Sequence, residues 1–368
     1  MKVLDAEGRG QGGAEMGGDH DVGAASGKGS ARKRGVSARR RSVLRGLSAG
    51  LLAPLGWPAT SALASTGAGA YPNRPVRLVV PFAPGGATDT LGRLLGRAME
   101  SSLAQPMVVD NRVGAAGAIG ATAVAKSPAD GYSVLLGGVG TNIVLAYTQP
   151  SLPYDPVRDL MPVAYLCNVD YVLTVAAGSP YRSLDDLLAA ARKRPRAVSY
   201  MSTGMLGPLH VALEYLSKRA GVSMVHVPYK GESPALADLL EGRIDVAVMT
   251  VPFTRPLVQD GRVRVLATIS AERTVGMPDV PTVAELGFPG YAVPIWNGLF
   301  VPAGTPAPVA ERLHAAAAAA IGAPAMRERM VALGVTPTGG TISGYARFLQ
   351  SERERWTAMI RDTGLMAG

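Results

Sequence analysis

The sequence predicts an α/β protein built as two lobes, each a mainly parallel sheet flanked by helices, with a ligand cleft between them. Three observations carry this reading. From Tyr71 onward, short β-branched runs alternate with helical stretches. The alternation pauses near Asp170 and then resumes. Several of the strand-like runs are followed by glycine-rich loops, and open α/β sheets place their ligands beyond such strand ends.

In the first block, residues 76–80 (Val-Arg-Leu-Val-Val) form a short β-branched run and predict a strand. Residues 88–103 carry Leu91, Leu94, Leu95, Ala98 and Met99 at helical spacing. A strand at 107–109, a small-residue helix at 115–126 and a strand at 132–136 follow. The second block reads as strands at 172–175, 197–200, 224–227, 244–249 and 263–268. Helices lie between them at 183–193, 208–218, 234–241 and 254–260. One more strand, 296–301, precedes helices at 306–321, 324–333 and 342–363. Pro306 and Pro324 fit a first helical turn, where a missing N–H costs nothing.

The 368 residues are 47% hydrophobic and 18% charged, a composition that buries a real core rather than staying disordered. The net charge of +9 at first suggests nucleic acid. Much of it lies before Ser65, and no later basic run carries interleaved aromatics, so no nucleic-acid partner is expected. A single cysteine, Cys167, excludes an intrachain disulfide and sits in an apolar run, where it reads as a small buried hydrophobe. The four histidines show no metal-ligand spacing, and no cofactor or metal is expected.

Residues 1–64 read as a disordered n-region followed by an export signal. Arg40-Arg41-Ser42-Val43-Leu44-Arg45 precedes a short apolar stretch and the small residues Ser61-Ala62-Leu63-Ala64. The paired arginines are twin-arginine-like; an ordinary Sec signal with extra arginines is the alternative. Either route predicts a periplasmic protein.

Four loops then stand out. The first holds Phe82, Ala83, Pro84, Gly85 and Gly86 before Thr88 and Asp89. Its glycines let backbone approach a ligand, and the helix start behind them presents free N–H groups to an anion. Thr88 or Asp89 can instead cap that helix. The second loop contains Gly140, Thr141 and Asn142, with the Thr141 hydroxyl as an added donor. The third contains Ser202, Thr203, Gly204, Met205 and Leu206, with His210 just inside the next helix. The fourth runs through Tyr229. Each alone reads as a turn, and His210 reads equally as a hydrogen-bonded structural histidine. Together, on both blocks, they argue for a site. No GxSxG or HExxH pattern accompanies them, so no catalytic residue is assigned.

At this level the chain resembles the TctC/Bug-type family, the extracytoplasmic binding proteins of tripartite tricarboxylate transporters. The marks are Tyr71-Pro72-Asn73-Arg74-Pro75-Val76, Val80-Pro81-Phe82-Ala83-Pro84-Gly85-Gly86-Ala87-Thr88-Asp89 and Asp110-Asn111-Arg112-Val113-Gly114. Later marks are Leu152-Pro153-Tyr154-Asp155-Pro156, His226-Val227-Pro228-Tyr229-Lys230-Gly231, Met277-Pro278-Asp279-Val280-Pro281-Thr282 and Pro302-Ala303-Gly304-Thr305-Pro306. The resemblance implies a two-lobed, type II periplasmic-binding-protein-like fold. Lobe 1 would take 71–169 and 290–368, and lobe 2 would take 170–289. It implies a monomer that binds a small organic acid in the cleft, its carboxylate cradled by the first two loops. The partners implied are membrane permease components or, alternatively, a membrane sensor; a secreted hydrolase or lyase on a similar fold is the remote alternative. One departure stands out. Where the family pattern carries a second glycine and a hydroxyl, this chain has Leu206 and Gly207. A polar anchor is lost and an apolar one gained, which predicts a ligand with an apolar or aromatic body near Met205 and Leu206.

Overall fold

The computed structural model describes residues 71–366. The expected n-region and export signal, 1–64, lie outside the described residues. The first stretch lays down β1 (Val76–Val80), α1 (Ala87–Leu103), β2 (Met107–Asn111), α2 (Ala118–Ala125) and β3 (Ser133–Gly138). A π-helical turn (Gly140–Val144) continues into α3 (Leu145–Thr148), and β4 (Leu160–Val169) follows. The second stretch is β5 (Tyr171–Ala176), α4 (Leu184–Lys193), β6 (Ser199–Ser202), α5 (Pro208–Ala220), β7 (Val225–Pro228), α6 (Glu232–Leu240), β8 (Val246–Thr250), α7 (Val251–Gln259) and β9 (Val263–Thr268). The chain then returns through β10 (Ile295–Pro302), α8 (Ala307–Gly322), α9 (Pro324–Ala332), β11 (Val335–Pro337) and α10 (Ile342–Thr363).

Two sheets result, in the orders β11-β4-β10-β3-β1-β2 and β7-β6-β8-β5-β9. The α/β class is as the sequence predicts, and each sheet contains a parallel trio whose first strand is central: β2-β1-β3 and β7-β6-β8. The expectation of mainly parallel sheets is corrected. Beside each trio runs an antiparallel strand that the chain lays down just after crossing into that sheet: β10 in one sheet, β5 in the other. The chain passes from one sheet to the other at Asp170 and returns between β9 and β10.

Two strands are absent from the sequence reading. β4 is ten residues long, yet Pro162 breaks its apparent strand character. The sheet accommodates it because the pairing of β4 with β10 slips between Pro162 and Ala164, a bulge that needs no ladder N–H there. β11 is a three-residue edge strand ending in Pro337. The predicted helix at 115–126 also starts later. Ala116 and Gly117 take left-handed backbone (φ 53° and 99°), so a 3-10 turn precedes α2.

One apolar core runs through both lobes, from Leu135 and Trp296 through Tyr200 and Leu213 to Trp356 on α10. Two larger outer cores lie under α1, α8 and α9 and under α6 and α7, and a small third joins Val172, Val251 and Met277. α10 packs on β4 of one sheet and on α5 beside the other, so the last helix ties the lobes together. Cys167 is fully buried, and burial pushes its thiol up to about 12, consistent with an inert apolar side chain. No helix among the described residues is long and apolar enough to cross a membrane.

Candidate ligand-binding site

The strand-end loops converge. A Cβ on Gly117 would lie 2.7 Å from Thr141 Cγ2, 3.4 Å from Pro81 Cβ and 3.6 Å from the Phe82 ring, so the loops after β1, β2 and β3 meet at one glycine. Across the lobes, a Cβ on Gly140 would lie 3.7 Å from the Pro208 ring. The Thr148 hydroxyl stands 3.4 Å from Leu206 O. The Tyr229 N–H donates to Ser202 O at 3.0 Å, which fixes the β7 loop to the β6 loop.

In the β1–α1 loop, Phe82, Ala83, Pro84, Gly85 and Gly86 are all exposed, and Thr88 is half-buried. Gly85 takes a left-handed conformation (φ 82°), which a glycine adopts without Cβ strain. Gly86 is the N-cap of α1 and no side chain caps the helix, so neither Thr88 nor Asp89 has the capping role that the sequence allowed. The first-turn amides of α1 thus face outward without an intrahelical partner. Asp89 instead braces the loop from beneath. Its carboxylate accepts from Gly85 N (2.9 Å), Arg93 Nε (2.9 Å) and Asn111 Nδ2 (2.8 Å). Asn111 also donates to Phe82 O at 3.0 Å. Burial alone would raise the Asp89 carboxyl, but the hydrogen bonds from Arg93, Gly85 and Asn111 outweigh it and hold it at about 2.

The other loops are more inward than the sequence suggested. Thr141 and Asn142 are buried. The Thr141 hydroxyl accepts from Gly138 N (3.2 Å) and lies 2.8 Å from Asn142 Oδ1, so it is engaged within the lobe. The Tyr154 hydroxyl donates to Thr141 O at 2.5 Å. Ser202 is fully buried and donates to Gly204 O at 3.0 Å, with His226 Nε2 2.7 Å from the same hydroxyl. Tyr229 donates to Asp238 Oδ2 at 2.5 Å and packs with the outer core of lobe 2. His210 is buried, and its Nδ1 accepts from Leu206 N at 3.0 Å. Thr203 and Met205 are exposed, Met205 at 64%, and Gly204 and Gly140 are half-buried.

The predicted set therefore divides by burial: Phe82, Ala83, Pro84, Gly85, Gly86, Thr88, Gly140, Thr203, Gly204, Met205 and Leu206 are exposed or half-buried, while the side chains of Asp89, Thr141, Asn142, Ser202, His210 and Tyr229 are engaged in hydrogen bonds within the protein. A groove of about 1100 Å³ lies beside this region, between α1, α8 and α9. It reaches only Pro84, Gly85 and Asp89 of the predicted residues and is not formed by the converging loops. Two bracing residues, Asn111 and His226, carried no assigned role in the sequence. A signal existed for His226: parallel pairing places it beside Tyr200, two residues before the glycine loop.

Two α/β lobes, joined by a chain that crosses twice and meeting through their strand-end loops, define a two-lobed solute-binding receptor. The family model described as "Tripartite tricarboxylate transporter family receptor" (TctC) matches residues 91–365. The chain belongs to this family. It is 40% identical over 329 residues to a protein of the tcbD–tcbE intergenic region of Pseudomonas sp. (strain P51), covering 89% of this chain and 96% of that one. Among solved structures it is similar to R. palustris Rpa4515 with adipate (TM-score 0.73, 35% identity, 80% and 98% of the two chains). It is also similar to MatC (Rpa3494) from Rhodopseudomonas palustris with bound malate (TM-score 0.71, 32% identity, 79% and 100%).

Proposed function

We propose that this receptor captures a small carboxylate outside the cytoplasm and delivers it, unchanged, to the membrane permease components of a tripartite tricarboxylate-type transporter. In this reading it is exported to the periplasm by its N-terminal signal and works as a monomer without a cofactor. The single observation that carries the reading is the exposed Phe82–Gly86 loop at the start of α1. It presents first-turn amides that no side chain caps, held from beneath by a carboxylate that stays ionised. Uncapped amides at a helix start favour an anion through both hydrogen bonding and the helix dipole. Adipate in one similar structure and malate in another agree with a carboxylate class.

The lobes of 71–169 with 290–368 and of 170–289 close on the ligand, because a molecule touching both adds contacts only in the closed state. The facing loop of lobe 2 sets the rest of the preference. The Ser202 hydroxyl is engaged internally, Leu206 replaces a glycine, and Met205 stands exposed. That surface suits an apolar or aromatic body rather than a second or third carboxylate. Calorimetry of the protein against benzoate, adipate, malate and citrate tests this. Binding of benzoate or adipate in preference to citrate is expected. Micromolar binding of citrate with no binding of the aromatic monocarboxylate would refute the specificity. Failure of all four acids to bind would refute the carboxylate reading.

A further inference from the structure

The loop between β6 and α5 is held at both ends by imidazoles. At its start, the Ser202 hydroxyl donates to Gly204 O (3.0 Å), so its oxygen accepts from Nε2–H of His226 at 2.7 Å. At its end, the Leu206 N–H donates to Nδ1 of His210 at 3.0 Å. Leu206 sits at φ 56°, a left-handed conformation that a leucine rarely adopts, so the bond to His210 holds a backbone that would otherwise relax. The two rings are stacked, with centroids 3.9 Å apart and planes 12° from parallel.

Of the two bonds, only the one at His210 depends on the protonation state, because His226 donates from Nε2–H whether neutral or charged. A proton on His210 Nδ1 would set donor against donor at Leu206. With both rings charged, two cations would stack face to face. The groups facing the pair are few. From β6 they are the Tyr200 phenol, whose ring lies 5.1 Å from His226 and 6.4 Å from His210, and Ser202. From α5 the facing group is Glu214, 4.0 Å from His210 Nε2 and also the acceptor of the Tyr200 hydroxyl at 2.5 Å. From β7 there is only His226 itself. Among the described residues, α10, which packs on α5, places no ionisable group within ion-pair distance of either ring.

We propose that His210 and His226 are positioning residues that keep the lobe-2 loop in its binding shape, and that the His210 brace holds only while its ring is neutral, so that acidification loosens ligand capture. The role of the loop rests on the function proposed above; the protonation linkage does not. Burial, and for His226 also the neighbouring His210, holds both rings below the ordinary histidine range, His226 at about 4. Glu214 opposes this at His210, so the first proton enters on the ring that bonds Leu206.

The test uses the full chain with its four histidines labelled. Long-range proton–nitrogen spectra at neutral pH should show His210 neutral with its proton on Nε2. The Leu206 amide shift should move with His210 titration in the ligand-free protein. Calorimetry with adipate as probe should show affinity falling as pH drops from 7.5 to 5, at a slope approaching about tenfold per pH unit, the limit for one coupled proton. His210→Asn, whose Oδ1 is an acceptor near the place of Nδ1 and does not titrate, should flatten the profile and bind more tightly than His210→Phe at pH 7.5. His210→Phe should lose affinity about tenfold at pH 7.5, the loss of one hydrogen bond's worth of positioning, and show no further fall towards pH 5. An Nδ1–H tautomer at His210, a Leu206 amide indifferent to its titration, or a His210→Asn variant that keeps the wild-type slope would overturn the proposal. Should adipate and the other three acids all fail to bind, the carboxylate reading fails while the two spectroscopic outcomes still decide the histidine role.

Discussion

The β1–α1 loop of lobe 1 and the β6–α5 loop of lobe 2 occupy the same place in the same topology, and they are built by opposite means. Each follows the central strand of a parallel trio and opens a helix. In lobe 1 the left-handed residue is Gly85, and the brace is Asp89, a carboxylate held at about 2. In lobe 2 the left-handed residue nearest the helix is Leu206, and the braces are two stacked imidazoles. A glycine over a permanently charged brace makes a loop that needs no adjustment. A leucine over a titratable brace makes one whose shape depends on its surroundings. One lobe thus braces its loop with a fixed charge, and the other with a titratable ring.

The comparison can be broken most sharply at Asp89. Asp89→Ala leaves the Gly85 amide, Asn111 and Arg93 without their shared acceptor. It is expected to lower unfolding stability by about 2–3 kcal/mol, the scale of hydrogen bonds to a charged group, read by urea denaturation. A loss below half a kcal/mol would show that the loop holds itself.

Acid should separate the lobes next. His226 has a folded value of about 4, below the 6.5 of an unperturbed histidine. Between those values the unfolded chain binds a proton that the folded chain refuses, so stability rises with pH across that window. With solvent screening of a partly exposed ring, His226 contributes about 1–2 kcal/mol, present above pH 6.5 and lost towards pH 4. Asp89 behaves oppositely in position: its contribution persists down to its unfolded value of 3.8 and is lost between there and about 2. Denaturation series from pH 7.5 to 4 on the wild type and on His226→Gln should therefore converge at acid pH. Parallel curves would remove the histidine from the account.

The smallest effects sharpen the backbone contrast. Gly85→Ala places a Cβ in left-handed backbone with open space around it, so only conformational strain is felt, about 1 kcal/mol of destabilisation. Leu206→Gly relieves the same kind of strain but adds unfolded-chain freedom, for a net change under about 1 kcal/mol. Opposite signs in thermal melts are expected; equal destabilisation would mean that the Leu206 side chain packs better than its half-buried position suggests.

Much of the architecture was legible along the chain. The β-branched run at β1, the apolar spacing of α1 and the proline opening α9 report local physics and appear where the sequence predicts them, whereas Pro306 sits just before α8 as its N-cap rather than in its first turn. β4 was not legible, because a proline inside a strand is tolerated only through a bulge with a partner more than 130 residues away, about which the local sequence is silent. That glycine loops follow several strands was legible, and the structure adds that these loops meet. What each side chain does there was not legible. Thr141, Ser202, His210 and Tyr229 have the chemistry of ligand donors, and whether a hydroxyl or imidazole turns outward depends on which acceptor lies behind it.

The sequence by itself therefore determined the periodicities, the turns that only glycine or a strained residue can make, and the chemical types available at the strand ends. These follow from bonds and steric limits within a few residues. The tertiary structure alone decided the antiparallel strand in each sheet, the meeting of Gly140 with Pro208 across the lobes, and the pairing of His210 with His226 from different elements. Those outcomes depend on which distant surfaces exclude water together, a property of the folded whole that no single segment carries.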